Sequence, residues 1–181
     1  MPRDPALVRL SRDHHQALVV AQRLRRATQA TLSSALESFR TYWEREGAEH
    51  FAAEEQLLLP LLAEQAHQGE PVVADVLIDH LVLRHQADRL LGRPGDPDRL
   101  EGARELGARL TEHVRREERV LFPLLERVLS SEQLADLADR LENAHLRLVS
   151  PADTTQAQDS ADRWLGLNYG PLPGPGDSEG G

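Results

Sequence analysis

Two stretches, EHFAAEEQLLLPLL at Glu49–Leu62 and EHVRREERVLFPLL at Glu112–Leu125, decide the fold of this chain. They are identical at eight of fourteen positions and are offset by 63 residues. Both are rich in residues that favour helix, and both contain H-x-x-x-E. Residues four apart lie one turn apart on one face of a helix, so each stretch is predicted to present a histidine beside a glutamate. These pairs are His50 with Glu54 and His113 with Glu117.

Hydrophobic periodicity extends this pattern over most of the chain. Apolar residues recur at three- and four-residue steps, which predicts amphipathic helices. Aromatic residues make up only 4% of the 181 residues, and the β-branched runs from which a sheet is built are scarce. The predicted fold class is therefore all-α, an up-down four-helix bundle with a short extra C-terminal helix. The helices are expected at about 5–29, 33–65, 72–91, 98–128 and 131–148.

Proline and glycine mark the predicted limits of these elements. Pro60 is expected to kink or end the second helix, because a proline inside a helix cannot donate the backbone hydrogen bond. From residue 150 the chain turns to small and polar residues and ends in NYGPLPGPGDSEGG, which has too many prolines and glycines for a regular element. The predicted organisation is a helical domain at 1–149 and a largely irregular tail at 150–181.

Two more histidines, His14 and His80, fall on the apolar stripes of the first and third helices. Of the adjacent His14 and His15, the heptad position selects His14 to face the core. Burying six ionisable side chains without partners is expensive. A metal ion removes that cost, because it takes neutral imidazoles and ionised carboxylates as ligands. The predicted metal ligands are His14, His50, Glu54, His80, His113 and Glu117.

The composition of this ligand set indicates the metal. Four imidazoles and two carboxylates exceed the needs of one tetrahedral zinc ion. They suit two adjacent ions with a carboxylate or an oxygen atom bridging them. Two Fe ions are the predicted cofactor, with manganese second and zinc less suited. The chain has no cysteine, which excludes disulfides, zinc–thiolate sites and iron–sulfur clusters ligated by this chain.

Charge and hydropathy narrow the range of partners. The net charge is −9, which disfavours nucleic acid because binding to phosphates requires clustered cations. No stretch approaches the roughly 20 apolar residues that span a bilayer, so no membrane partner is expected. The expected location is the cytoplasm. The acidic surface and short loops favour a monomer or a weak homo-oligomer.

Four motifs, in this order along the chain, resemble the hemerythrin-like family, also called the HHE cation-binding domain. They are RDHHQAL, EHFAAEEQLLLP, DHLVLR and EHVRREERVLFP, one on each predicted bundle helix. The resemblance covers about Pro5 to Leu129 and is strongest to small bacterial members and to the di-iron domain of iron-centre repair proteins. It implies a di-iron site with an oxo or hydroxo bridge, in which the six residues above are ligands and Glu54 and Glu117 bridge.

The chain departs from the oxygen-carrying hemerythrins in two places. Those carriers have a second histidine one turn after the third-helix histidine, where this chain has Arg84. They also usually space the last pair as H-x-x-x-x-D, whereas this chain offers Glu117 or Glu118, of which the repeat favours Glu117. His85 lies about 100° further round the helix than Arg84 and is a candidate neighbour of the ligands. Reversible oxygen carriage is therefore disfavoured.

The predicted function is that of a redox-active di-iron protein that binds or consumes dioxygen, peroxide or nitric oxide, because such a site leaves coordination positions open. An alternative is an iron or oxygen sensor whose bundle is ordered by metal. Iron delivery or repair of iron centres is suggested by the resemblance alone, and the cysteine-bearing segment of the repair proteins is missing. A ferritin-like oxidase is disfavoured because the predicted ligands form H-x-x-x-E pairs instead of the E-x-x-H pairs of that class. A bundle whose buried histidines only hydrogen-bond would need partners for six inward polar groups.

The second glutamate of each repeat and the neighbouring arginines are expected on a solvated face. There they would form one-turn ion pairs of small energetic value. This expectation applies to Glu55, Glu118, Arg115, Arg116 and Arg119.

Overall fold

The computed structural model describes residues 3–65 and 71–149, and all regular structure in these ranges is helical. Helix α1 is Pro5–Arg25, α3 is Pro71–Gly92 and α5 is Ser131–Val149. Helix α2 covers 32–65 and joins the α-helical segments Leu32–Tyr42, Ala48–Ala53 and Leu59–Gln65 through π-helical turns at Trp43–Gly47 and Glu54–Leu58. Helix α4 covers 99–128 and joins Arg99–Arg116 to Phe122–Val128 through a π-helical turn at Glu117–Leu121. The predicted all-helical, hemerythrin-like bundle is confirmed.

Helix α1 begins where its sequence predicts and ends earlier. The Asp4 side chain caps the helix by accepting a hydrogen bond from the Ala6 N–H at 2.9 Å, and Pro5 occupies the first turn. The helix ends at Arg25, so the predicted extension to about residue 29 is wrong. The reason is a competing turn, in which the Thr31 hydroxyl accepts the Thr28 N–H at 2.9 Å. Side chains that bond nearby backbone in this way compete with helix.

Neither proline in the repeats ends its helix. Helical structure continues past Pro60 to Gln65 and past Pro123 to Val128, in agreement with the predicted bounds, so of the two expectations for Pro60, a kink or an end, the end is wrong. Each proline is the second residue of an α-helical segment that directly follows a π turn. The wider π turn shifts the pattern of backbone hydrogen bonds. Proline has no N–H to donate, and at the start of the segment after the turn no such donor is required.

The apolar core consists of two clusters, one on either side of a polar layer. The first contains residues such as Leu24, Phe39, Leu83, Leu106 and Leu110. The second contains residues such as Leu7, Leu58, Val76, Leu121 and Leu137. On α1, Leu10 belongs to the second cluster and Ala17 to the first, with His14 between them. The predicted ligands therefore lie in the middle of the bundle, closed off from water at both ends by packed side chains.

Helices α1 and α4 lie close together at Gly107. A Cβ atom at this position would lie 2.5 Å from the backbone oxygen of Ala21 and 2.9 Å from the side chains of Leu24 and Arg25. No real Cβ contact is that short, so only glycine fits unless the helices separate. This close approach sets the spacing of the two helices that carry His14 and His113.

The chain divides into two compact units, Met1–Glu142 and Asn143–Gly181. The first contains the bundle and most of α5, whose Leu134, Leu137 and Leu141 are buried in the second core cluster. Of the second unit the structure describes only 143–149, the end of α5. The predicted irregular tail at 150–181 lies outside the described residues. Within those residues, no helix is long and apolar enough to cross a membrane.

Candidate metal centre

The structure brings all six predicted ligands together in the polar layer. Each of them is at most 6% exposed, although two come from α2, two from α4 and one each from α1 and α3. Their ligand atoms form two overlapping groups in which all atoms lie within 4.8 Å of one another. The first half-site contains His14 and His50, the second half-site contains His80 and His113, and both half-sites share Glu54 and Glu117.

Both glutamates present one carboxylate oxygen to each half-site. Oε1 of Glu54 lies 3.2 Å from Nε2 of His50, and its Oε2 lies 3.3 Å from Nε2 of His80. Oε2 of Glu117 lies 3.0 Å from Nε2 of His14, and its Oε1 lies 3.3 Å from Nε2 of His113. In this arrangement each carboxylate would be able to hold one ion at either oxygen.

The distances between donor atoms of the first half-site are in the range that the donors of one ion would have. Imidazole binds a first-row ion at about 2.1 Å, so two donors at right angles lie about 3.0 Å apart and two opposite donors about 4.2 Å apart. Nε2 of His14 and Nε2 of His50 are 3.0 Å apart. Nε2 of His14 and Oε1 of Glu54 are 4.0 Å apart. Both distances are short enough for these donors to hold one ion together.

Several buried atoms in this layer have no hydrogen-bond partner. They include both carboxylate oxygens of Glu54 and of Glu117 and the Nε2 atoms of His80 and His113. A buried carboxylate without a partner costs several kcal/mol or shifts its protonation. A pair of metal ions would accept lone pairs from all of these atoms. The residues present therefore fit such a group.

The outer nitrogen of two histidines is held by the second glutamate of a repeat. Nδ1 of His14 lies 2.8 Å from Glu118, and Nδ1 of His80 lies 2.8 Å from Glu55. The expectation that these glutamates form only a solvated face is wrong, because each reaches across to a histidine of the neighbouring helix. A carboxylate at Nδ1 keeps the proton on that nitrogen, so the lone pair of Nε2 faces the pocket.

Two aspartates that the sequence reading overlooked face the other two histidines. Asp13 lies 3.5 Å from Nδ1 of His50, and Asp79 lies 3.8 Å from Nδ1 of His113. Each aspartate directly precedes a predicted ligand, in the dipeptides Asp13–His14 and Asp79–His80. Each such dipeptide therefore provides an inward histidine and a carboxylate that faces a histidine of another helix. The repeated Asp-His dipeptide was the feature of the sequence that could have indicated these two carboxylates.

The structure also places the residues whose roles the sequence did not decide. Arg84, at the position of the carriers' extra histidine, points to Glu55 and donates a hydrogen bond to its carboxylate at 2.7 Å. His15 and His85 are exposed. Glu117 rather than Glu118 faces the centre of the layer.

The comparison with protein families agrees with this geometry. The hemerythrin HHE cation-binding domain family matches residues 6–125. The chain belongs to this family. The match covers α1 to α4 up to Leu125 and therefore all six predicted ligands. No curated protein and no solved structure matches the chain significantly.

Burial and neighbouring charges shift the pKa values of the buried side chains in this HHE domain in opposite directions. Burial acts to raise the pKa of Glu54, but its histidine neighbours hold that pKa well below the usual range. Burial acts to lower the pKa of His50, and the carboxylates of Glu54 and Asp13 raise it well above the usual value. For His80 the carboxylates outweigh burial in the same way and raise the pKa to about 9. For His113 burial dominates and lowers the pKa to about 4.

Two phenylalanines form walls of the HHE-domain centre. The Phe51 ring stacks on the His80 ring with centroids 3.9 Å apart, and the Phe122 ring stacks on the His14 ring at 5.2 Å. Arg84 lies over the Phe51 ring and Arg3 over the Phe122 ring. Both rings are at most 1% exposed. They fix the planes of the two histidines and exclude water from the sides of the pocket.

Proposed function

We propose that this protein is a non-haem di-iron protein that binds or reacts with small oxidants, namely dioxygen, peroxide or nitric oxide. The observation that carries the proposal is the sharing of two buried glutamates between two pairs of histidines. Glu54 and Glu117 each have one oxygen at either half-site. One cation needs no such doubling of donors, and six buried polar side chains without ions would be destabilising.

The chain's own residues have distinct roles in this proposal. The four histidines hold the centre through Nε2. Glu54 and Glu117 keep the two half-sites close and offset positive charge. Glu55 and Glu118 hold the Nδ1 protons of His80 and His14, which orients those rings. When bound, two iron ions supply one-electron redox chemistry and coordination positions open to a small ligand. Two histidines and two shared carboxylates give four donors per half-site, fewer than the six of an octahedral ion.

The first test measures metal content and absorption. Protein produced with iron available is expected to contain about two irons per chain, in keeping with a carboxylate-bridged pair, and to show a near-ultraviolet charge-transfer band that dithionite bleaches. Glu54→Ala should lose both. The matched control is Glu112→Ala, because Glu112 is exposed and pairs with Arg115 on its own helix. Folded wild-type protein without iron, or with one zinc ion and no band, contradicts the proposal.

The second test separates reaction from binding. The reduced protein is mixed rapidly with dioxygen, hydrogen peroxide or nitric oxide, and the change in the band gives a rate for each. If the band changes with none of the three, the protein is still a metal-binding protein, but the proposed reactivity toward small oxidants is contradicted.

A sensor is the second candidate, and the position of the centre supports it. The six residues come from four different helices. Removing the ions would therefore leave buried polar atoms without partners where the four helices meet. Metal binding that orders a fold in this way is a common physical coupling. Circular dichroism before and after chelation distinguishes the two candidates. A sensor loses helix content or changes its oligomeric state, whereas a protein that consumes oxidants keeps its fold and loses its reaction.

A further inference from the structure

The carboxylates behind the second half-site are surrounded by arginines. Asp79, which faces His113, pairs with Arg116 and with Arg109 at 3.6 Å. Glu55, which holds His80, pairs with Arg84 at 2.7 Å. Two carboxylates thus face three guanidinium groups, and the sum of these charges is +1.

The carboxylates behind the first half-site have far less compensation. Glu118, which holds His14, shares Arg3 with Glu126, at 2.6 and 3.3 Å. Asp13, which faces His50, has no arginine within ion-pair distance among the described residues. Three carboxylates thus face one guanidinium group, and the sum is −2. The two half-sites have the same ligands but differ by three unit charges just outside them.

The repeat in the sequence explains part of this difference. Arg116 precedes Glu117 as Ala53 precedes Glu54, 63 residues earlier. Both positions directly precede the π turn that starts at the shared glutamate. At the place equivalent to the Arg116 guanidinium beside Asp79, the first repeat offers only the methyl group of Ala53. One of the three unit charges that separate the half-sites therefore corresponds to a single position of the repeat, Arg116 in the second copy and Ala53 in the first.

We infer that the two half-sites are unequal and that the first half-site, His14 with His50, binds its ion first and holds it more tightly. The inference rests on the proposed two-metal function. Each half-site has two imidazoles and shares the same two carboxylates, so the ligands do not discriminate between them. The surrounding charge does, because it lies directly behind the buried histidines, where water screens these partly exposed side chains only in part. Changes in groups that contact ligating histidines typically alter metal affinity by about 10- to 100-fold.

The test is an anaerobic titration of the metal-free full-length chain with Fe²⁺, followed by calorimetry. Wild type is expected to bind two ions in steps whose dissociation constants differ by at least about 10-fold. Diffraction at the iron absorption edge, on crystals that contain one equivalent, should place this ion between His14 and His50. Arg116→Ala should tighten the weaker step, and Ala53→Arg should weaken the tighter one. Both changes reduce the difference between the steps.

Arg115→Ala is the matched control, because Arg115 is the neighbour of Arg116 but pairs with the exposed Glu112. It should leave both constants unchanged. Circular dichroism checks that each variant folds, and Arg116→Ala decides the question if Ala53→Arg does not fold. Two equal steps in wild type, iron placed first at His80 with His113, or a difference that Arg116→Ala leaves unchanged would overturn the inference. Binding of one ion or none by wild type would instead contradict the proposed function.

Discussion

Four carboxylates, here called the outer carboxylates, lie beside the Nδ1 atoms of the four histidines: Asp13, Glu55, Asp79 and Glu118. Glu118 offers the sharpest test of how they support the metal centre. Its side chain accepts hydrogen bonds from the Ser11 hydroxyl at 2.7 Å and from Arg3 at 2.6 Å, and it contacts Nδ1 of His14 at 2.8 Å. Replacement by Gln keeps an acceptor for His14 but removes the charge. Replacement by Ala removes both. The two variants therefore separate charge from orientation.

Two magnitudes follow from these contacts. Loss of an outer partner of a ligating histidine costs about 10- to 100-fold in metal affinity, so Glu118→Gln is expected near the lower value and Glu118→Ala near the upper. Burial acts to raise the pKa of Glu118, but His14, Ser11 and Arg3 lower it from 4.5 to about 2. That shift corresponds to about 3 kcal/mol, which reduces to about 1–2 kcal/mol because a side chain that is 29% exposed is screened by water.

The sign of the pH dependence follows from the direction of the shift. A carboxyl whose pKa is lower in the folded state stabilises the fold above its unfolded pKa, and the contribution is lost as the pH falls through the folded value. Metal-free wild type should therefore lose about 1–2 kcal/mol of unfolding free energy relative to Glu118→Gln between pH 4.5 and 2.

Competition with a chelator measures the affinity, and thermal unfolding measures the stability. Glu112→Gln is the control, because Glu112 pairs with the exposed Arg115 and touches no histidine. If both Glu118 variants retain wild-type affinity, Glu118 does not support His14. If Gln and Ala weaken binding equally, charge alone accounts for the effect and orientation does not.

Two further predictions concern protons and packing. Because Glu117 and Glu54 outweigh burial and raise the pKa of His80 to about 9, metal must displace a proton at pH 7, so metal affinity should rise with pH up to about 9. Calorimetry in buffers of different ionisation enthalpy should show proton release, and a pH-independent affinity would refute this. Gly107→Ala places a Cβ 2.5 Å from the Ala21 backbone oxygen and should cost about 1–3 kcal/mol by overpacking. Gly102→Ala, whose new Cβ would have its nearest contact 3.7 Å away, should not destabilise the protein. Equal melting temperatures of the Gly107→Ala and Gly102→Ala variants would contradict this reasoning.

The helices and the buried stripes could be predicted because they depend on local periodicity. His14 and His80 were identified from their positions among apolar residues, and both are at most 2% exposed. The π turns at Glu54–Leu58 and Glu117–Leu121 were not predicted. A wider turn breaks the 3.6-residue period for reasons of packing, and π turns of this kind are frequent at functional sites. The continuation of both helices past their prolines agrees with the predicted bounds of about 33–65 and 98–128.

The outer carboxylates were misjudged because a helical wheel considers one helix at a time. Residue 55 lies about 100° from residue 54, which places it on the flank of α2 and beside solvent. On the assembled bundle, that flank is where His80 of α3 presents Nδ1. The sequence did contain a usable signal. Both EE doublets and both DH dipeptides recur in matching positions, and a repeat in residues outside the apolar stripe points to a contact with another helix.

The same repeat also shows where symmetry ends. The six predicted ligands and four outer carboxylates occur as matched pairs, so a duplicated motif explains why both half-sites have equivalent donors. The arginines do not follow the repeat, because Arg116 stands where the first copy has Ala53. Ligands are constrained by geometry, whereas charges next to them are free to differ without disturbing the fold. The difference between the two half-sites is therefore to be sought in these arginines, and an exchange of charge between Ala53 and Arg116 should reduce the difference between the two binding constants while the ligand geometry stays the same.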